Sequence, residues 1–135
     1  MTLKEILRGV ALHGALPEQV AGLPVESLEY DSRRVGERCL FFAFQGYRAD
    51  GRNYAAEAVR RGAVAVASEL APSGELAAPW IRVEHEREAL ALAARNLYGP
   101  LDERLVLTGI TGTNGKTTAA WLVDSILSAA GKTTA

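Results

Sequence analysis

The run Thr111-Gly-Thr-Asn-Gly-Lys-Thr-Thr118 brings two glycines, one amine and several hydroxyls together within a single short segment. Gly112 and Gly115 permit positive φ and let the backbone come close to a bound group. A loop of this kind turns N–H groups inward at a helix N-terminus, where the helix dipole also favours negative charge. Lys116 would add a mobile ammonium for the β/γ-phosphates, and the Thr117 hydroxyl would supply a Mg²⁺ ligand. The chemistry implied is the holding of a nucleoside triphosphate, with Lys116 and Thr117 as the catalytic pair.

Such a loop needs a strand to lead into it and a helix to follow it. Leu105 to Ile110 is nearly all apolar, as a parallel strand covered on both faces should be. From Lys116 the period changes: Ala119, Leu122, Val123, Ile126, Leu127 and Ala130 recur at three- and four-residue steps, giving an apolar helical face. The general phosphate-loop pattern places its first glycine where this chain has Ile110, and the glycines stand at 109 and 112 instead.

A second constellation lies upstream. Tyr30-Asp-Ser-Arg33 follows a strand-like segment, and its common reading is a turn in which Asp31 or Ser32 bonds to nearby backbone. Gln45-Gly-Tyr-Arg-Ala-Asp-Gly51 has loop residues at both ends. Between Tyr30 and Arg52 five arginines stand against three acids, locally +2 in a chain of net charge −1. Arginine forks suit phosphate oxygens, although an exposed basic face is the commoner fate of such residues.

The remaining elements follow in order. Thr2 with Glu5 makes a capping-box pattern for a helix through about Val10. Strands are expected at Val25–Tyr30, Cys39–Phe44, Ala63–Ala67 and Trp80–Val83. A helix capped by Asn53 should run to Arg61 and stop at Gly62. Another should run from Glu86 to Tyr98 before Gly99-Pro100. Alternating strands and helices predict an α/β fold. The seam falls at Gly99–Glu103, so residues 1–100 form one domain. Residues 101–135 open a second that is expected to be incomplete, because one strand and one helix cannot bury a sheet.

Composition sets outer bounds. At 135 residues with 48% hydrophobic and 23% charged residues, the chain describes a globular protein with a real core. The near-neutral charge gives no overall pull toward nucleic acid or a membrane surface. Cys39 is the only cysteine, so an internal disulfide is excluded and a cytoplasmic setting is expected. His13 and His85 lack metal-ligand spacing.

The segments Tyr30-Asp-Ser-Arg, Cys39-Leu-Phe-Phe-Ala-Phe-Gln-Gly, Ala49-Asp-Gly and Gly109-Ile-Thr-Gly-Thr-Asn-Gly-Lys-Thr-Thr resemble the Mur ligases. With Asn96-Leu-Tyr-Gly-Pro, they are most similar to the UDP-N-acetylmuramoyl-tripeptide synthetase branch. The resemblance implies an N-terminal α/β domain that binds the UDP part of UDP-N-acetylmuramoyl-L-alanyl-D-glutamate. Tyr30 and Ser32 would contact that part, and Tyr47, Arg48 and Ala49 would form the loop at uracil and diphosphate. Gly112 through Thr118 would then be the ATP loop, with Mg²⁺ at Thr117. The implied reaction is ATP-dependent amide ligation in peptidoglycan synthesis, adding meso-diaminopimelate or L-lysine through an acyl phosphate. The partners implied are small-molecule substrates only, and the complete protein is expected to be a monomer. Further metal ligands, a carbamylated lysine and an amino-acid-binding domain would lie beyond Ala135, so these 135 residues alone should lack ligase activity. Two alternatives stay open: a non-catalytic module binding a UDP-sugar, and the sister ligase that adds D-alanyl-D-alanine.

Overall fold

Four short strands, all parallel and paired in chain order, form the sheet of the computed structural model, which describes residues 1–46, 49–100, 103 and 105–134. They are β1 (Ser27–Glu29), β2 (Cys39–Phe42), β3 (Ala63–Ser68) and β4 (Trp80–Arg82). The helices are α1 (Leu3–Ile6), α2 (Glu18–Ala21), α3 (Ala55–Arg60), α4 (Glu86–Tyr98) and α5 (Lys116–Ala129). Two short 3-10 turns, Ser32–Arg34 and Gly51–Tyr54, follow β1 and β2. The chain divides into two units, Met1–Leu101 and Asp102–Ala135. The α/β class with a parallel sheet is as the alternation predicts.

A parallel sheet needs cover on both faces, and β2 shows it: Cys39, Leu40, Phe41 and Phe42 are all buried. Alternate side chains enter different cores. Leu40 and Phe42 pack with Leu3, Ile6, Val25, Ala89 and Ala93, the faces of α1 and α4. Cys39 and Phe41 pack with Val35, Ala55 and Ala58 on the α3 side. The α1 and α4 helices are also joined by polar contacts, since Asn96 Nδ2 donates to Ile6 O (2.8 Å) and Arg8 O (2.9 Å). Those carbonyls lie at the end of α1 and would otherwise have no helical partner. The Thr2–Glu5 capping box forms in both directions, although α1 stops at Ile6 rather than near Val10.

Two local expectations are corrected. Asn53 does not cap α3; the cap lies one turn earlier, where the Asp50 carboxylate accepts from Arg52 N (3.0 Å) and starts the 3-10 turn that runs into α3. Residues 105–110 form no strand, and Val106 is 97% exposed. A strand exists only by pairing, and among the described residues of the second unit no strand is present to pair with it. The apolar face of α5 is formed as expected but is exposed, including Leu122 and Ile126.

Gly51 sits where two backbone segments meet: a Cβ there would lie 2.6 Å from Phe44 O and 2.9 Å from Ala43 C. Its N–H donates to Phe44 O at 2.8 Å. Backbone cannot yield as a side-chain tip can, so Gly51→Ala should destabilise by about 1–3 kcal/mol. Gly74→Ala, at a site with open space, should leave stability within about 0.5 kcal/mol. Chemical denaturation of the two variants checks this, and equal midpoints would refute it.

Candidate functional site

The C-terminal end of β1 and β2 opens into a cleft of about 1000 Å³. Tyr30 and the Asp31–Arg33 turn line one side, and Phe44, Gly46, Ala49 and Gly51 another. Glu57 of α3 and Arg87 of α4 also face it. Phe44 stands at the centre, with the Tyr30 ring stacked on it at 5.8 Å between centroids and 19° between planes. The Tyr30 residue is 61% exposed, so part of its surface is open to a planar ligand.

The Asp31 turn is rigid for identifiable reasons. The Asp31 carboxylate accepts from Arg33 N (3.0 Å) and takes the Arg33 guanidinium at 2.7 and 2.9 Å. Hydrogen bonds from the Arg33 side chain and then its backbone hold the Asp31 pKa down at about 2. Asp50 repeats the device with Arg52, and its carboxyl is likewise lowered, chiefly by the Arg52 side chain. Ser32 is buried, and its hydroxyl lies 3.5 Å from the Glu57 carboxylate, which in turn takes the Arg61 Nε at 2.9 Å. Arg61 also donates to Arg33 O, so the turn after β1 is tied to α3.

The loop beyond β2 is closed by an antiparallel bridge between Gln45 and Asp50 and by Gly46 N donating to Ala49 O (2.9 Å). Its root is held from a distance. Glu86, buried at the start of α4, accepts from Gln45 N at 3.0 Å and from Glu69 N at 3.5 Å. The Glu69 carboxylate returns the contact by accepting from Glu86 N at 2.8 Å. His85, the N-cap residue of α4, supplies no side-chain cap, so Glu69 serves as one from another element.

Tyr30, Ser32 and Ala49, expected from the sequence, are therefore brought to one cleft; Tyr47 and Arg48 lie outside the described residues. The local excess of arginine is not a set of free anion ligands. Arg33, Arg34, Arg38 and Arg52 pair with Asp31, Glu29, Glu26 and Asp50. Phe44, Glu57, Glu86 and Arg87 were not singled out by sequence reasoning. Phe44 falls within the quoted β2 run, but nothing local marks the other three.

In the second unit, Gly112 to Gly115 leads directly into α5, with Gly115 as N-cap in the left-handed region at φ 77°. No side chain caps α5 there, and its first intrahelical bond is Ala119 N to Gly115 O. The amides of Lys116, Thr117 and Thr118 precede that bond and suit an anion. Lys116 Nζ folds over the loop and donates to Gly112 O at 2.5 Å. The uncapped amides and the ammonium form a donor set that fits a polyphosphate. Among the described residues no group of three or more His, Cys, Asp or Glu side chains is placed to hold a metal.

The family model described as "Mur ligase family, catalytic domain" matches residues 24–98, which include every described cleft residue named above. The chain belongs to the Mur ligase family. Among curated relatives, it is 60% identical over 135 residues to the UDP-N-acetylmuramoyl-L-alanyl-D-glutamate--2,6-diaminopimelate ligase of Solibacter usitatus, covering 100% of this chain and 27% of the relative. The corresponding ligase of Chlorobium phaeobacteroides is 43% identical, with coverage of 97% and 26%. This Mur ligase chain thus spans about a quarter of the length of the curated relatives it matches. Among solved structures, one of a UDP-N-acetylmuramoyl-L-alanyl-D-glutamate--2,6-diaminopimelate ligase superposes with a TM-score of 0.68 at 27% identity, covering 97% of this chain and 26% of that one. The MurF ligase of Thermotoga maritima in complex with ADP gives 0.58 at 30% identity, covering 77% and 23%.

Two properties of this Mur ligase cleft can be measured directly. Because the folded Asp31 pKa lies below its ordinary value of 3.8, the stabilisation from this carboxylate is complete above that pH. It is lost as pH falls toward about 2. An NMR titration of the Asp31 carboxyl carbon should show a midpoint near 2, and a midpoint near 3.8 would contradict the forked pairing. Glu86→Ala removes the acceptor from two backbone amides and should cost about 2 kcal/mol in denaturant unfolding. Glu86→Gln, which keeps one acceptor, should recover part of that loss, and two equal variants would refute the role.

Proposed function

We propose that this chain is the N-terminal part of an ATP-dependent amide ligase that extends the peptide of UDP-N-acetylmuramoyl-L-alanyl-D-glutamate with a diamino acid. The observation that carries the reading is the 60% identity to a ligase of that name along the whole chain, through cleft and phosphate loop alike. The names of the curated relatives support 2,6-diaminopimelate, rather than L-lysine, as that diamino acid. Residues 1–100 would hold the UDP-sugar end of the substrate, and residues 101–135 would open the ATP-binding unit. No helix among the described residues is long and apolar enough to cross a membrane.

In the cleft, the exposed part of Tyr30 offers a surface for the uracil ring. The Ser32 hydroxyl, aligned by Glu57, offers a hydrogen bond, and Gly46 and Ala49 bring backbone groups to the cleft. Tyr47 and Arg48 would complete the loop between them. A carboxylate at neutral pH is a poor acyl donor, and ATP supplies the phosphoryl group that gives it a leaving group. The residues Gly112, Thr113, Asn114, Gly115, Lys116, Thr117 and Thr118 would position the triphosphate and neutralise its charge, with Thr117 holding Mg²⁺. The amine of the diamino acid then displaces phosphate. The sister ligase adding D-alanyl-D-alanine is the second reading, supported by the likeness to MurF structures.

In the protein at the full length of its relatives, Lys116→Ala should lower turnover by at least about a hundredfold. It should leave UDP affinity within twofold. A near-normal rate would remove the phosphate-loop assignment. Loss of UDP binding would contradict the division of labour between residues 1–100 and 101–135.

A further inference from the structure

We propose that Arg87 is a side chain that reads the phosphate charge of the ligand in the cleft; this rests on the reading of that cleft as a uridine-nucleotide site. A charge census of the lining leads to it. Asp31 and Arg33 cancel each other in a forked pair, and Glu57 is paired with Arg61. Among the described lining residues that leaves Arg87, which makes no ion pair with any described residue. Its one specific contact is with an aromatic ring: the guanidinium carbon lies 5.6 Å from the centroid of Phe44. A cation over a ring face is held in place while its N–H groups stay available, because the ring accepts no conventional hydrogen bond from them. Phe44 is the same ring on which Tyr30 stacks, so the cation and the surface offered to a base are organised around one side chain.

The position of Arg87 is fixed from behind as well. It follows Glu86, whose carboxylate is anchored to Gln45 N and Glu69 N, so the first turn of α4 cannot drift from the cleft wall. A neutral nucleoside has no charge for Arg87 to meet, whereas a nucleoside diphosphate presents oxygens that a guanidinium fork matches in pairs. Arg87 is therefore a determinant of nucleotide over nucleoside, and not of the base.

Calorimetric titration of the 135-residue chain with uridine and with UDP tests this. The wild-type chain should prefer UDP to uridine. Arg87→Met, which keeps an extended apolar stem, should weaken UDP about tenfold or more while changing uridine by less than twofold. The Arg87→Lys variant should recover part of the preference. Equal weakening of both ligands would mean that Arg87 only packs Phe44, and unchanged UDP affinity would mean that it meets no phosphate; either overturns the proposal while leaving the cleft assignment intact. If the wild-type chain binds neither ligand, the reading of the cleft itself fails and the Arg87 assignment falls with it.

Discussion

A parallel sheet cannot leave a face in water, because each of its strands is reached by a crossover that must pack against it. The layering of the first unit depends on this constraint. It makes Cys39–Phe42 apolar at every position and divides those side chains between two cores. It brings α4 against one face, so that the first turn of α4 arrives beside the loop that leaves β2. The cleft lies where β1 and β2 end and their loops part, the position at which parallel α/β sheets commonly take ligands. Burial in that core also raises the pKa of the Cys39 thiol, chiefly by desolvation, and keeps it a packing residue.

The turns around the cleft are built twice from one device. In Asp31-Ser-Arg33 and Asp50-Gly-Arg52, an aspartate caps a 3-10 turn through the N–H two residues on and grips that residue's guanidinium. The two turns present Ser32 and Gly51 to the same space. Pairing charge inside each turn keeps the charges of Asp31, Arg33, Asp50 and Arg52 balanced beside the cleft. The four described arginines between Tyr30 and Arg52 are thus held in ion pairs within the fold and say little about a ligand.

Local patterns in the sequence were informative wherever the structure depends on local rules. The Thr2–Glu5 box, the span of α4 and the start of α5 at Lys116 follow from capping, period and glycine placement. So does the turn at Asp31, since its bonds reach only two residues. What the sequence left obscure is held over long separations. Glu86 meets Gln45 and Glu69 across 41 and 17 residues, and Asn96 meets Ile6 across 90. No spacing rule announces such pairs. The expected strand at 105–110 failed for the converse reason: an apolar run states a preference for burial, but pairing requires a neighbour. In the cleft, Tyr30, Ser32 and Ala49 were legible through motif resemblance, whereas Glu57 and Arg87 became visible only once α3 and α4 were placed.

The account stands on the claim that the cleft beside β1 and β2 takes the uridine nucleotide and the 112–118 loop takes the triphosphate. Amide chemical shifts of the 135-residue chain, followed during a titration with UDP, test it most directly. The account predicts that UDP moves the resonances of Tyr30, Ser32, Phe44 and Ala49 and leaves those of Gly112 through Thr118 in place. Shifts confined to the 112–118 loop, with the cleft unmoved, would contradict it.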